Sequence, residues 1–220
     1  MDKVLNLGAV IYPGFEMLDL FGPLEMFSMV GLDKLRIHMV AENKGPVIAA
    51  VGLDMEHGPR IVADYDFEDA PPLDIVLLPG GFGTLPELEN PRLLGFLAER
   101  AKAASITASV CSGSALLAKA GVLDGHRATS NKQLFALAVA QSDRVEWVEQ
   151  ARWVDDGPVV TSSGVSAGTD MSLAIIQRLF GEETARYIAT FAEYTWHEDA
   201  DSDPFASELN KAAAMLDPHT

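Results

Sequence analysis

Ile106-Thr107-Ala108-Ser109-Val110-Cys111-Ser112-Gly113-Ser114-Ala115-Leu116-Leu117-Ala118 sets the chain's one cysteine between an extended apolar run and a helix-forming one. A strand that turns at once into a helix forces the residue at the bend into a tight conformation. It also requires small side chains two places before and after the bend, which Ser109 and Gly113 supply. This is a nucleophile elbow with sulfur in place of the usual hydroxyl. It lifts the sulfur out of the sheet and aims it at the start of the following helix. The unpaired N–H groups and partial positive charge there favour thiolate over thiol. The competing reading is a small buried hydrophobe; the flanking serine and glycine favour a reactive thiol.

Outward from the elbow, strands alternate with helices. Asp74-Ile75-Val76-Leu77-Leu78 is continuous and apolar, as in a parallel sheet covered on both faces, and runs directly into Pro79-Gly80-Gly81-Phe82-Gly83. Residues 4–12 read as a buried first strand, broken by Pro13-Gly14; residues 16–29 carry helical spacing interrupted by Gly22-Pro23; residues 35–40 read as a second strand. Residues 47–51 and the region of Ile61-Val62 read as peripheral strands. Downstream, the spacing predicts helices over 91–104, 112–120, 131–140 and 167–180, with another through Tyr194. Asp155-Asp156-Gly157, between two short apolar runs, is a hairpin signal. This alternation indicates a parallel α/β sandwich, whose sites gather beyond the carboxyl ends of the strands. With no repeat, linker or second core, residues 1–220 read as a single domain with an acidic C-terminal segment from about residue 197.

A single cysteine excludes an intramolecular disulfide and fits a reducing compartment. No signal-peptide pattern opens the chain, and no apolar run approaches the about 20 residues that span a bilayer. The expectation is a soluble, cytoplasmic protein without membrane partners. A net charge of −16 with lysines and arginines scattered singly argues against nucleic acid as a partner. Glu198-Asp199-Ala200-Asp201-Ser202-Asp203 reads as a solvated acidic stretch. One cysteine and isolated histidines make no metal-ligand pattern, so no metal and no cofactor are expected.

Three segments end strands of this sheet and can share one rim. Besides the elbow there is Gly80-Gly81-Phe82, whose glycines let the backbone turn sharply; the N–H groups of Gly81 and Ser112 are candidates for an oxyanion hole. A phosphate loop is the rival reading, but no Lys-Ser/Thr pair follows. The third segment holds Asp19 among Leu18, Leu20 and Phe21, apolar surroundings that raise a carboxyl pKa toward neutrality and suit it to acid–base work. Asp19 is also a candidate helix cap, for a helix starting near Phe21 or Gly22. Glu16 is the alternative acid, expected to face solvent. No histidine lies near Cys111 in sequence, although His197, after Tyr194-Thr195-Trp196, could fold back over a pocket. A cysteine–carboxyl pair is therefore favoured over a cysteine–histidine dyad.

These residues resemble the ThiJ/PfpI superfamily, also called class I glutamine-amidotransferase-like. The resemblance rests on Tyr12-Pro13-Gly14, Leu18-Asp19-Leu20-Phe21-Gly22-Pro23, Leu78-Pro79-Gly80-Gly81, the elbow, Ala128-Thr129-Ser130-Asn131-Lys132, and the discriminating stretch from Thr161 to Asp170. Within it the chain is similar to the isonitrile hydratase branch and to the sensing domains of some AraC-type regulators. Those regulators carry a C-terminal helix-turn-helix region; with Thr220 as the last residue read, a regulator is the less expected of the two. The resemblance implies a flavodoxin-like three-layer sandwich with a mostly parallel central sheet, commonly a homodimer. It implies a hydratase-type lyase in which Cys111 attacks the isonitrile carbon, Asp19 handles proton and water, and Ser112 retains a hydroxyl where that branch has threonine. Gly80, Gly81, Phe82 and Val165 are the expected substrate-binding residues. Peptidase activity is not expected, because protease-type members have histidine after the cysteine. A glyoxalase- or deglycase-like enzyme using Glu16, and a non-enzymatic redox or ligand sensor, are the alternatives. Asn131-Lys132 replaces a histidine-tryptophan pair associated with the hydratases.

Overall fold

In the computed structural model, which describes residues 3–212, strands and helices alternate along the chain. The first strand, β1 (Leu5–Val10), leads into α1 (Met17–Ser28), β2 (Leu35–Val40), β3 (Gly45–Ile48), β4 (Arg60–Ala63) and β5 (Ile75–Leu78). There follow α2 (Thr84–Glu87), α3 (Pro91–Ala103), β6 (Ile106–Val110), α4 (Gly113–Lys119), β7 (Arg127–Ala128) and α5 (Phe135–Val139). The described chain ends with β8 (Glu146–Trp147), β9 (Trp153–Asp156), β10 (Val159–Ser162), α6 (Ala167–Phe180) and α7 (Glu182–Phe191).

The central sheet has six strands in the order β2-β1-β5-β6-β10-β9, all parallel except β9, which pairs antiparallel with β10. β5 and β6 are buried along their whole length, which explains their unbroken apolar sequences. The helices form two groups: α1, α6 and α7 pack on one another, and α2 to α5 pack in a second set. With the right-handed crossovers that are the rule between parallel strands, this strand order puts the two groups on opposite faces of the sheet, giving the mostly parallel α/β sandwich expected from the sequence. β3 and β4 make a small antiparallel ribbon outside the sheet.

Four expectations need correction. Gly22-Pro23 does not interrupt α1, which runs through both residues. Asp19 therefore lies in the first turn rather than capping a later start. The predicted helix over 131–140 shrinks to Phe135–Val139, because the Asn131 side chain accepts the Leu134 N–H and closes a turn there. The hairpin turn falls on Gly157-Pro158, with Asp155 and Asp156 inside β9. The acidic stretch is not simply solvated: Asp203 is buried opposite Arg152, and Glu198 pairs with Arg186. No helix among the described residues is long and apolar enough to cross a membrane.

Candidate active site

β6 delivers Cys111 to the carboxyl edge of the sheet, and α4 begins two residues later. The bend demands φ = 59° at Cys111, a left-handed conformation that costs a non-glycine residue about 1–3 kcal/mol. Surrounding bonds enforce it. The Cys111 N–H faces the carbonyls of Ser162 and Ser163, both at 3.2 Å, and its own carbonyl accepts from Ser114 Oγ at 3.1 Å and Ser130 Oγ at 3.2 Å. A Cβ at Gly113 would stand 2.7 Å from the Leu78 carbonyl oxygen, so the small residue expected after the bend is a packing requirement.

Asp19 is fully buried behind the sulfur. One carboxyl oxygen, Oδ2, accepts the Gly80 N–H at 2.9 Å. The other makes no well-aligned hydrogen bond; the Cys111 thiol and the Val165 N–H reach the carboxyl at poorer geometry. Burial pushes its pKa up to about 7, against the Gly80 bond and with a further push from Glu16. Burial likewise drives the Cys111 thiol well above its ordinary range, and the Asp19 charge adds to the rise. The N–H groups of Ser112 and Val165 and the Asn131 side chain pull the thiol back in part. The expected thiolate-favouring helix end is thus outweighed by burial and by a neighbouring acid. Two buried acids in contact cannot both ionise, so the pair passes from two protons to one as pH rises through about 7, and the remaining proton is shared between them.

The glycine pair is explained by closeness. A Cβ at Gly80 would lie 2.6 Å from both the nitrogen and the Oγ of Ser112 and 3.0 Å from Asp19 Oδ2. Gly81 has φ = 127°, and a Cβ there would meet the Glu16 nitrogen at 2.5 Å. The Gly81 N–H donates to Ser112 Oγ at 3.1 Å, Ser112 Oγ bonds Thr84 Oγ1 at 2.9 Å, Thr84 bonds the Tyr12 hydroxyl at 3.0 Å, and Tyr12 donates to the Pro79 carbonyl at 2.8 Å. This relay braces the glycine loop. It also corrects the expected oxyanion hole: the Gly81 N–H is already engaged, and the backbone donors facing the sulfur are those of Ser112 and Val165.

Cys111 opens into a cavity of about 250 Å³ walled by Phe82, Leu134, Val165 and Ala212, with Glu16, Asn131 and Gln133 as its polar groups. Phe82 and Val165, the walls named from the sequence, both line this cavity. Glu16 is half-buried in this wall rather than solvent-facing. Val165 has φ = 45°, rare for a β-branched residue, and this turns its N–H toward the Cys111–Asp19 pair. No histidine among the described residues lines the cavity. The His197 backbone N–H bonds Asp170 at 2.9 Å and its ring faces the Ser202 carbonyl, so it does not fold over the sulfur. Lys132 is buried elsewhere, donating to Thr129 Oγ1 at 2.8 Å and the Ala151 carbonyl at 2.6 Å. A larger groove of about 570 Å³ lies beyond β1 and β2, and Cys111 is not part of its lining. Sequence reasoning missed Gln133, Leu134 and Ala212, and named Asn131 only as a departure from a pattern.

A cysteine at a strand–helix elbow, backed by a buried carboxyl and a glycine loop on a parallel sheet, defines a class of nucleophile-bearing α/β proteins. The DJ-1/PfpI family model matches residues 7–178, and the chain belongs to that family. Isonitrile hydratase of Pseudomonas putida is 33% identical over 208 residues, covering 92% of this chain and 82% of that protein. The HTH-type transcriptional regulator CdhR of Pseudomonas aeruginosa is 28% identical over 80% of this chain but only 51% of its own length. Among solved structures, a ThiJ/PfpI family protein from Pseudomonas syringae superposes with a TM-score of 0.78 at 31% identity, covering 97% of this chain and 86% of that one.

Proposed function

We propose that the protein is a cysteine-dependent isonitrile hydratase-like lyase, converting R–NC and water into R–NH–CHO. The observation that carries this reading is the Cys111–Asp19 pair: a nucleophile in contact with a fully buried carboxyl whose pKa is about 7, at the base of a largely apolar cavity. The similarity to isonitrile hydratase supports the same reaction. The pair reacts from its one-proton form, after the thiol proton moves onto the Asp19 carboxylate to give thiolate plus carboxylic acid. The sulfur forms a bond to the terminal carbon while Asp19 protonates that carbon, leaving a thioimidate, R–N=CH–S. Asp19, now a carboxylate, takes a proton from water as the oxygen bonds to carbon, and passes it to nitrogen. The C–S bond then breaks, the thiolate departs, and the hydroxyl proton returns to Asp19. One water is consumed and the starting protonation state is restored.

A redox or ligand sensor is the non-enzymatic alternative; it predicts a peroxide-dependent change in cysteine mass with no turnover of a small electrophile. Carbonyl chemistry assisted by Glu16 is the competing enzymatic outcome. The test follows formamide by mass spectrometry with a simple aromatic isonitrile, wild type beside Cys111→Ala. Formamide from wild type alone is expected. Equal formamide from both, or lactate from methylglyoxal with no formamide, overturns the reading. A homodimer is proposed with it; a monomer mass by light scattering at micromolar concentration counts against that part.

A further inference from the structure

The engagement of the Gly81 N–H by Ser112 leaves the site short of a donor on the substrate side. Asn131 stands on the same cavity wall as Cys111. Its Oδ1 accepts the Leu134 N–H at 3.0 Å, and because a backbone N–H needs an acceptor, this bond decides which end of the carboxamide is oxygen. The other end, Nδ2, is left without a protein oxygen as partner among the described residues, on the cavity wall it shares with the Cys111 sulfur. The chain makes room for it. Any Cβ at Gly164 would run into Asn131 Nδ2, so a glycine stands where the amide lies.

We propose that Asn131 is a catalytic hydrogen-bond donor. Its Nδ2–H stabilises the thiolate that Cys111 becomes on giving its proton to Asp19; after the Sγ–C bond forms, it donates to the substrate nitrogen and polarises the C=N bond for attack by water. It surrenders no proton, since Asp19 supplies and recovers the protons of each step. The second half rests on the hydratase reading, because it requires a heteroatom next to the attacked carbon. An amide does not titrate near neutrality, so this donor works at any pH at which the Cys111–Asp19 pair is correctly protonated.

Two variants separate a donor from a turn-former. Asn131→Ala removes both functions. Asn131→Ser keeps an acceptor for the Leu134 N–H but has no second polar atom to reach the sulfur. The thiolate absorbance of the single cysteine is titrated in each, with Cys111→Ala as the blank, and formamide turnover is measured in parallel. The donor role predicts that both variants titrate higher than wild type by about one pH unit, and that kcat falls about tenfold or more with little change in KM. A serine variant that titrates like wild type, or no shift in either variant, overturns the proposal. A thiolate shift without any wild-type formamide upholds the donor and removes the isonitrile as substrate.

Discussion

At Cys111 and Asp19 the deciding quantity is the count of protons. Asp19 has its pKa raised from 3.8 to about 7 in the fold, so between those values the folded state binds more protons than the unfolded one. Stability contributed by this residue is therefore highest below pH 4 and declines as pH rises toward 7, by about 4 kcal/mol for the full shift. Asp19→Asn removes the ionisation. Urea melts should show the variant gaining on wild type from pH 4.5 to pH 7.5, while turnover drops on the order of 10² or more. A stability difference that does not change with pH would refute the buried, proton-sharing arrangement. Cys111→Ala should abolish turnover and leave the fold intact. Both residues were legible in the sequence, one from the elbow pattern and the other from a carboxylate set among Leu18, Leu20 and Phe21. The loops around them were less so: Val165 was named only as a wall and Asn131 only as a departure from a pattern, because a strained φ and an Asx turn bring them to the Cys111 cavity through tertiary folding.

The elements explain why the pair meets at all. α1 carries Asp19, α6 follows directly on Val165, and the two helices cross where Gly22 faces Thr169 and Pro23 faces Gly168. A Cβ at Gly22 would collide with Thr169 Oγ1. Gly22→Ala should push α1 off α6, cost about 1–3 kcal/mol in chemical denaturation, and lower turnover by displacing Asp19 from the sulfur. Removing the obstructing oxygen with Thr169→Ala should restore most of both losses, a coupling that a double-mutant cycle measures directly. Simple additivity of the two substitutions would show that this crossing does not set the site. The same residues mark where sequence reading erred: Gly-Pro reads as a helix break, yet here it is a small, smooth face inside a continuous helix. Strands were the most legible elements, because full burial writes itself as an unbroken apolar run. Short helices such as α5 were not, because side-chain turns set their limits.

Across the whole molecule, the acidic composition conceals a buried ionic hub. Asp170, at the start of α6, has no solvent exposure; it accepts from Arg152 Nε at 2.8 Å and Nη2 at 2.5 Å, from the Tyr194 hydroxyl at 3.0 Å and from the His197 N–H at 2.9 Å. Trp196 Nε1 donates to its carbonyl at 3.2 Å. One carboxylate thus joins β9's approach, α6 and the segment after α7. That segment continues through Asp203, hydrogen-bonded to the Gln150 carbonyl at 2.8 Å, and Asn210, bonded to the Lys132 carbonyl at 2.8 Å, to reach the cavity wall at Ala212. Composition could not reveal this, because a charge run reads as solvated until a buried arginine is found opposite it. Asp170→Asn keeps the shape but leaves Arg152, among the described residues, with Asp203 at 4.0 Å as its one ion-pair partner. Removing one partner of a buried pair costs about 3–5 kcal/mol, whereas exchanging both for apolar residues costs far less. Urea denaturation should therefore rank Asp170→Asn well below wild type, with the double variant Arg152→Met/Asp170→Leu above the single one. Tyr194 supplies an independent readout: burial first, then the Asp170 charge, holds its hydroxyl pKa up at about 12, so the asparagine variant should ionise this tyrosine at lower pH. An unchanged tyrosine titration with wild-type stability would mean that the C-terminal segment is held by its backbone bonds alone and that the hub carries no structural weight.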